Sequence, residues 1–466
     1  MSARLTPLLR NLMIFTLALA LVLPGALVPV SPFHSDGAMA QRRGISLVRD
    51  AEIEALIRDY ARPLMRAGGL RRGSVQFRIV NDTSFNAFVS GRGMFINLGL
   101  LLRSGTPGEV IGVVAHELGH IIGGHQVRLQ ERMRQATRIA QVTTLLGLGL
   151  SAAGAATGSG ELGRAGFGIA AGGNTAALRG LLQYRRSEET AADRTAVTLL
   201  EKSKQSGAGM LQTFRRLGQD AALLGKQIDP YTLSHPLPRQ RLSALTTTVE
   251  RSRYFNRRAS PALRERHDMV RAKIAAYSGG QRYARALLSS NRLSENARLY
   301  GRAIVTFLYG SPRKALPMID RLIKRMPNNP YVHEMRGEIL LRSAKPKQAA
   351  ASLRKAIKLD KTSAGFIRVQ LGHALVESGG RKNLLEAVTQ LRKGIARDPS
   401  ALAGYQYLAR AYAELGRQPD ALLASAELAI RAGQKRQAKN YASRAQQGFK
   451  RGSPPWLRAQ DILQVR

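Results

Sequence analysis

The sequence predicts an α+β chain: a mainly helical domain carrying a small β-sheet, followed by an all-α array of paired helices. Three observations carry this. Residues 50 to about 250 mix helical apolar spacing with two-residue alternation. Beyond about residue 290 only helical patterning remains, and it repeats. The 466 residues, 44% apolar and 22% charged, suffice for two or three cores and exclude a disordered tail protein or a multi-span membrane protein.

The first forty residues read as an address. Arg4 and Arg10 precede an apolar run from Leu12 to Val30, and Ala38-Met39-Ala40 supplies a small-x-small cleavage site before Gln41. Residues 1–40 therefore read as a signal peptide; the rival is an uncleaved anchor, against which Pro24 and Pro29 interrupt the run. Either way the working part is expected in the periplasm, free or membrane-associated. Asp50 to Ala67 spaces its apolar residues as a helix, and Ser74 to Val80 alternates as a strand. Phe85 to Val89 and Met94 to Leu98 flank Gly91-Arg92-Gly93 as a hairpin or meander. Residues 139–173 are apolar and rich in Gly and Ala; they read as a hairpin lying over a cleft or touching a membrane surface, with a spanning pair and a plain core helix as alternatives.

In the second half, Ala315, Ala349, Ala387 and Ala421 occupy corresponding places, at spacings of 34, 38 and 34 residues. Small residues recur at Gly337, Gly372 and Ala409, where helices must approach closely, and Pro330 and Pro399 mark turns. That period belongs to tetratricopeptide (TPR) helix pairs, with a generic helical bundle as the alternative because one unit carries four extra residues near Gly379-Gly380. The expected domains are 41–250, a helical connector over 251–290, and a TPR solenoid over 291–466.

Lys and Arg number 72 against 31 Asp and Glu, a formal charge of +41. Such a chain attracts polyanions, but the basic residues are spread along its length, and a solubilising surface bias explains them equally well. There is no cysteine, which excludes disulfides, thiolate-bound metals and thiol catalysis. Any metal must be held by His, Asp or Glu.

The segment with specific chemistry is Val113 to His125. His116-Glu117-Leu118-Gly119-His120 matches H-E-x-x-H inside an apolar helical run. Two His at i and i+4 project from one helix face and can share one ion, while Glu117 beside them is placed to act as general base without being a ligand. The bland alternative is a pair of core histidines satisfied by backbone. A further His six residues after His120 would extend the motif, but that position is Gln126. His125 falls about 140° away on a continuous helix. It could be reached only if Gly123-Gly124 broke the helix, and it reads as a residue supporting the site or lying on the surface.

Zinc in a hydrolase needs a third protein ligand and an open position. Glu189 and Asp193 stand at i and i+4 in Tyr184-Arg185-Arg186-Ser187-Glu188-Glu189-Thr190-Ala191-Ala192-Asp193, so one carboxylate can bind an ion while the other orients a ligand imidazole. Alone, this cluster would read as a solvated face paired to Arg185, Arg186 and Arg194.

Together the two motifs resemble the CaaX prenyl protease and HtpX type zinc metallopeptidase family, and the layout is similar to its exported, TPR-bearing members. The resemblance implies a zincin-type fold with one Zn2+ per chain, with His116, His120 and Glu189 as ligands, Glu117 as catalytic base and Asp193 as the partner of a ligand imidazole. Residues 85–98 resemble the family's strand segment before the active helix. Ser234-His235-Pro236-Leu237-Pro238-Arg239-Gln240-Arg241 resembles its H-P segment with an Arg six residues after the His, so that His235 and Arg241 become candidates for transition-state stabilisation or gating. His235 as a turn residue before Pro is the plainer alternative.

The expectation is an exported zinc endopeptidase of the H-E-x-x-H plus Glu type that degrades misfolded or misassembled outer-membrane proteins. An extended peptide would pair with an edge strand around Met94 to Asn97. The TPR array would recruit substrates or the outer-membrane assembly machinery, with peripheral membrane contact among the expected partners and nucleic acid not among them. A non-catalytic periplasmic TPR chaperone or adaptor, and a polyanion-binding protein, are the rival classes.

Overall fold

The computed structural model describes residues 46–224, 235, 239–362 and 364–465. The address segment over 1–40 lies outside the described residues.

Strand β1 (Leu47–Val48) leads into helix α1 (Ala51–Ala67), which starts where Asp50 Oδ1 accepts the Ile53 N–H at 2.8 Å. Strands β2 (Gln76–Val80), β3 (Ala87–Ser90) and β4 (Gly93–Asn97) follow, and Leu98 already belongs to helix α2 (Leu98–Arg103). The strand order is β1-β2-β4-β3, with β2 parallel to β4 and β3 antiparallel to it. The hairpin expected from Gly91-Arg92-Gly93 is present, but β4 has neighbours on both sides. The edge strand expected at Met94 to Asn97 is therefore wrong. All five residues of β4 are buried, and the outer strand on this side is β3.

Helix α3 (Pro107–Gly123) carries the H-E-x-x-H motif. Its first turn is held by Glu109, whose Oε1 accepts the N–H groups of Gly105 and Thr106 at 2.8 and 3.0 Å, and Pro107 sits where no N–H is needed. The chain breaks at Gly124 (φ 64°, ψ 26°), whose N–H bonds the Ile121 carbonyl at 3.1 Å. Helix α4 (His125–Thr157) and helix α5 (Gly160–Lys202) then form one long hairpin. The hairpin expected over 139–173 is only its distal part. Its second arm continues without interruption into the Glu189–Asp193 segment, its first arm begins just after the break at Gly124, and the distal part is not core: His125, Gly147 and Gly154 are the buried residues of α4. Helices α6 (Ala208–Leu224) and α7 (Arg239–Glu250) complete this part.

Helix α8 (Pro261–Ser278) buries nine of its eighteen residues, His267 and Met269 to Ala276. Its Lys273 Nζ lies 2.7 Å from Asp50 Oδ2 and 3.2 Å from Glu52 Oε2, and Tyr60 Oη is 2.9 Å from His267 Nδ1. One apolar core runs from Val48 in β1 through α1, α3 and α8 to Ile339. After α9 (Gly280–Ser289), antiparallel pairs stack in order: α10 (Glu295–Tyr309) with α11 (Pro312–Arg325), α12 (Pro330–Arg342) with α13 (Pro346–Leu359), α14 (Gly365–Ser378) with α15 (Arg381–Arg397), α16 (Leu402–Glu414) with α17 (Gln418–Arg431), and α18 (Lys435–Gln447) with α19 (Pro454–Gln464). This is the all-α TPR-type solenoid that the period predicts. Ala315, Ala349, Ala387 and Ala421 are buried on the second helices of successive pairs, and the longer 38-residue spacing coincides with α15, which has 17 residues where α11, α13 and α17 have 14. The array also touches the segment between β1 and α1: Arg49 Nη1 lies 2.7 Å from Asp398 Oδ1 and donates to Ser400 Oγ at 3.1 Å.

Candidate metal centre

Glycine brings the two motif helices together. A Cβ at Gly119 would lie 2.6 Å from the Ala192 carbonyl oxygen, so only a glycine on α3 lets α5 pass this close, and Ala192 itself is fully buried. At that separation the carboxylate of Glu189 reaches the imidazoles of α3. His116 Nε2 lies 3.1 Å from His120 Nε2 and 3.3 Å from Glu189 Oε2; His120 Nε2 lies 3.4 Å from Glu189 Oε1. His235 closes the group, with Nδ1 at 3.3 Å from His116 Nε2 and 3.1 Å from Glu189 Oε1. Five of the six pairings among these four groups fall at 3.1 to 3.4 Å, and all the donors lie within 4.8 Å of one another, close to the ~3.4 Å between corners of a tetrahedron of ~2.1 Å radius around a zinc-type cation. His116 is fully buried, and the Phe214 ring meets it edge-on at 5.9 Å.

The outer contacts orient the donors. His116 Nδ1 faces Asp193 Oδ1 at 2.9 Å, and Asp193 is held by Arg241, whose Nε and Nη2 donate to Oδ2 and Oδ1 at 2.7 and 3.0 Å. Arg241 Nη1 also lies 3.2 Å from Glu189 Oε2. On the other side His120 Nδ1 lies 2.9 Å from His125 Nδ1, and His125 Nε2 lies 3.0 Å from Glu188 Oε2. The tautomers that satisfy these contacts have His125 donating to Glu188 and His120 donating to His125, which leaves His120 Nε2 as a lone pair aimed inward. Glu188 in turn accepts from Arg128 at 2.9 Å.

Burial pulls the His116 pKa down, but the carboxylates of Asp193 and Glu189 outweigh it and raise it to about 10. Burial and the neighbouring His116 charge press His120 down to about 2. Burial pushes Glu189 up, yet its bonds to His116 and His235 hold it below the usual carboxylate range. The two carboxylates favour a proton on His116, and a cation bound there would displace it. Glu117 is buried beside the cluster, with Oε1 3.5 Å from His235 Nε2, and burial raises its pKa.

The structure thus gathers His116, Glu117, His120, Glu189, Asp193, His235 and Arg241 in one place. His125 is buried and reaches His120 because the helix does break at Gly124. Sequence reasoning missed Glu188 and Arg128; the Gly123-Gly124 pair was the available signal that His125 would turn back toward the motif. It also passed over Gln126, whose Oε1 accepts the Gly91 N–H at 2.8 Å and whose Nε2 donates to the Val89 carbonyl at the outer edge of β3.

A buried H-E-x-x-H helix beside a small mixed sheet, with an acidic donor from a later helix, defines a metallopeptidase. Residues 48–249 match the model of peptidase family M48. Over 301 residues the chain is 27% identical to a protein of Vibrio cholerae named a putative beta-barrel assembly-enhancing protease, covering 62% of this chain and 59% of that protein. Over 428 residues it is 24% identical to the beta-barrel assembly-enhancing protease of Escherichia coli, covering 90% of this chain and 84% of the other. Among solved structures, the TPR protein YrrB aligns over 38% of this chain and 91% of its own at 19% identity and a TM-score of 0.31. Yeast Tom70 aligns over 60% and 63% at 14% identity and a TM-score of 0.32.

Proposed function

We propose that this chain is a zinc endopeptidase of the bacterial envelope that removes misfolded or misassembled outer-membrane proteins, with its TPR array recruiting substrates or assembly partners. The observation that supports it most directly is the convergence of His116, His120 and Glu189 at tetrahedral spacing with Glu117 beside them. The relatives named for β-barrel assembly support the choice of substrate class. A signal peptide over 1–40 and a periplasmic location belong to the same reading.

His116, His120 and Glu189 would hold the ion, and Asp193 would fix the His116 tautomer. Bound zinc supplies a Lewis acid that polarises a peptide carbonyl and makes water nucleophilic near neutral pH. Glu117, with its pKa raised by burial, takes the proton of the attacking water and returns it to the leaving amine. Arg241 holds Asp193 and Glu189 in place, and His235 is the gate or the group that steadies the developing charge. A substrate strand adds to the outer edge of β3 by displacing the Gln126 side chain, which only unfolded or loosened chains can do.

His235 at the fourth corner favours a second reading, a TPR chaperone or adaptor with a closed structural site, since closed four-ligand sites are commonly structural. Metal analysis of the purified protein, with digestion of an unfolded outer-membrane protein by wild type and by Glu117→Gln, tests both. The peptidase reading requires about one zinc per chain and loss of cleavage on substitution with the metal retained. Equal behaviour of the two proteins would leave the adaptor.

A further inference from the structure

The α4–α5 hairpin is built inside out for a water-soluble protein. Of seventeen large apolar side chains exposed among the described residues, thirteen lie between Ile122 and Leu182. Leu145, Leu146, Leu148 and Phe167 are each more than half exposed. Small residues fill the seam between the arms: a Cβ on Gly147 would stand 2.5 Å from the Gly166 carbonyl oxygen and 2.7 Å from Ala170 Cβ, and one on Gly154 would stand 2.5 Å from the Gly163 nitrogen. Water drives large apolar groups into such a seam. Lipid does not, and helices that associate in lipid pack through Gly and Ala while their leucines point outward.

Length and charge agree with this. No charged residue occurs from Ile139 to Thr157, nineteen residues that rise ~28 Å as a helix, close to the ~30 Å hydrocarbon depth of a bilayer. This helix alone among the described ones has the length and hydropathy to cross a membrane. Below it, exposed Arg132, Arg134 and Arg138 on α4 and Arg179 on α5 form a collar in which Glu131 is the acidic residue. Basic side chains at that level meet anionic headgroups. The outward side chains spread around about half of each arm, at 100° per residue, which suits an enveloping lipid phase better than a partner seated on one stripe.

We propose that the α4–α5 hairpin seats this protein on a membrane of anionic phospholipid, its tip within the hydrocarbon and its arginine collar among the phosphates. The occupant of the apolar surface is the bilayer. Glu161 and Arg164, at the start of α5, are the charges that a full crossing delivers to the far headgroups. The same helix fixes the height of the metal centre. Thirteen residues separate His125, which touches His120, from Arg138, so the donor cluster stands roughly 20 Å from the lipid surface. A protease held at that height would act on chains near the membrane, a selection by position that the metal site alone does not supply.

The test uses the full chain with vesicles of phosphatidylethanolamine and phosphatidylglycerol, or of phosphatidylcholine alone. Wild type should float with the anionic vesicles and partition at least about 10-fold less onto phosphatidylcholine or in high salt. The double variant Leu145→Glu/Leu148→Glu should lose anionic binding by a similar factor, while keeping its metal content and its cleavage of a soluble unfolded peptide. In Leu146→Trp, lipids brominated on their acyl chains should quench the new indole relative to the background from Trp456. Flotation unchanged by the double substitution, or an indole at position 146 that the bromines leave unquenched, overturns the proposal. So does a hairpin-dependent dimer, or hairpin-dependent capture of an unfolded chain, in a protein that ignores vesicles. Flotation needs no catalysis, so its failure leaves the peptidase reading standing, and an inactive protein that floats leaves this one standing.

Discussion

His120 Nδ1 sits 2.9 Å from His125 Nδ1, so the second imidazole of the motif is steered by a histidine that begins the next helix. The relay continues to Glu188 at 3.0 Å and is anchored by Arg128. Replacing His125 by Ala should therefore weaken metal retention about 10- to 100-fold, with the fold intact. Competition for zinc against a chelator reads this directly, and unchanged retention would show that His120 needs no such support.

Gly119→Val tests the helix contact that assembles the site. Its side chain would press on the Ala192 backbone, which cannot move aside as a flexible side-chain tip could. The expected cost is roughly 1–3 kcal/mol of stability, with loss of metal as Glu189 is displaced from the imidazoles. Denaturant unfolding with metal analysis checks both, and a variant of normal stability and metal content would refute the close-approach argument.

Gln126 occupies backbone groups that an added strand would use, the Val89 carbonyl and the Gly91 N–H. Gln126→Ala should free that edge. KM for an unfolded substrate is expected to change with kcat nearly constant, and the cleavage sites should shift in mass spectra of the products. An unaltered cleavage pattern and KM would place substrate elsewhere.

The carboxylates around Lys273 make stability depend on pH. Burial, opposed in part by Lys273, raises the Glu338 pKa to about 7, against ~4.3 in an unfolded chain. Between those values the folded form keeps a proton that the unfolded form has released, so stability falls as pH rises through that window and levels off above about 7. Melting temperatures measured from pH 5 to 8 should decline, and Glu338→Gln, which keeps a partner for Tyr277, should flatten the decline. An equal slope in the variant would contradict this assignment.

Much of this was legible because its causes are local. A pair of His at i and i+4, a pair of carboxylates at i and i+4, and an alanine that recurs on successive helices are periodicities of a single helix. The edge strand was misread because the role of a strand depends on its neighbours: β4 pairs with β2 as well as with β3, and nothing within Met94 to Asn97 records the second pairing.

By itself, then, the sequence determined the donor types, their helical faces, the absence of thiol chemistry and the repeat architecture, since each follows from side-chain identity and backbone period. Tertiary structure alone decided that Glu189 and His235 reach the imidazoles of α3, that His125 folds back behind His120, that Gln126 caps the outer edge of β3, and that the leucines of α4 face outward. Three of those facts rest on contacts between segments far apart in the chain or on burial, a sum over neighbours that no local pattern contains, while the His125 contact spans five residues and turns on the backbone break at Gly124.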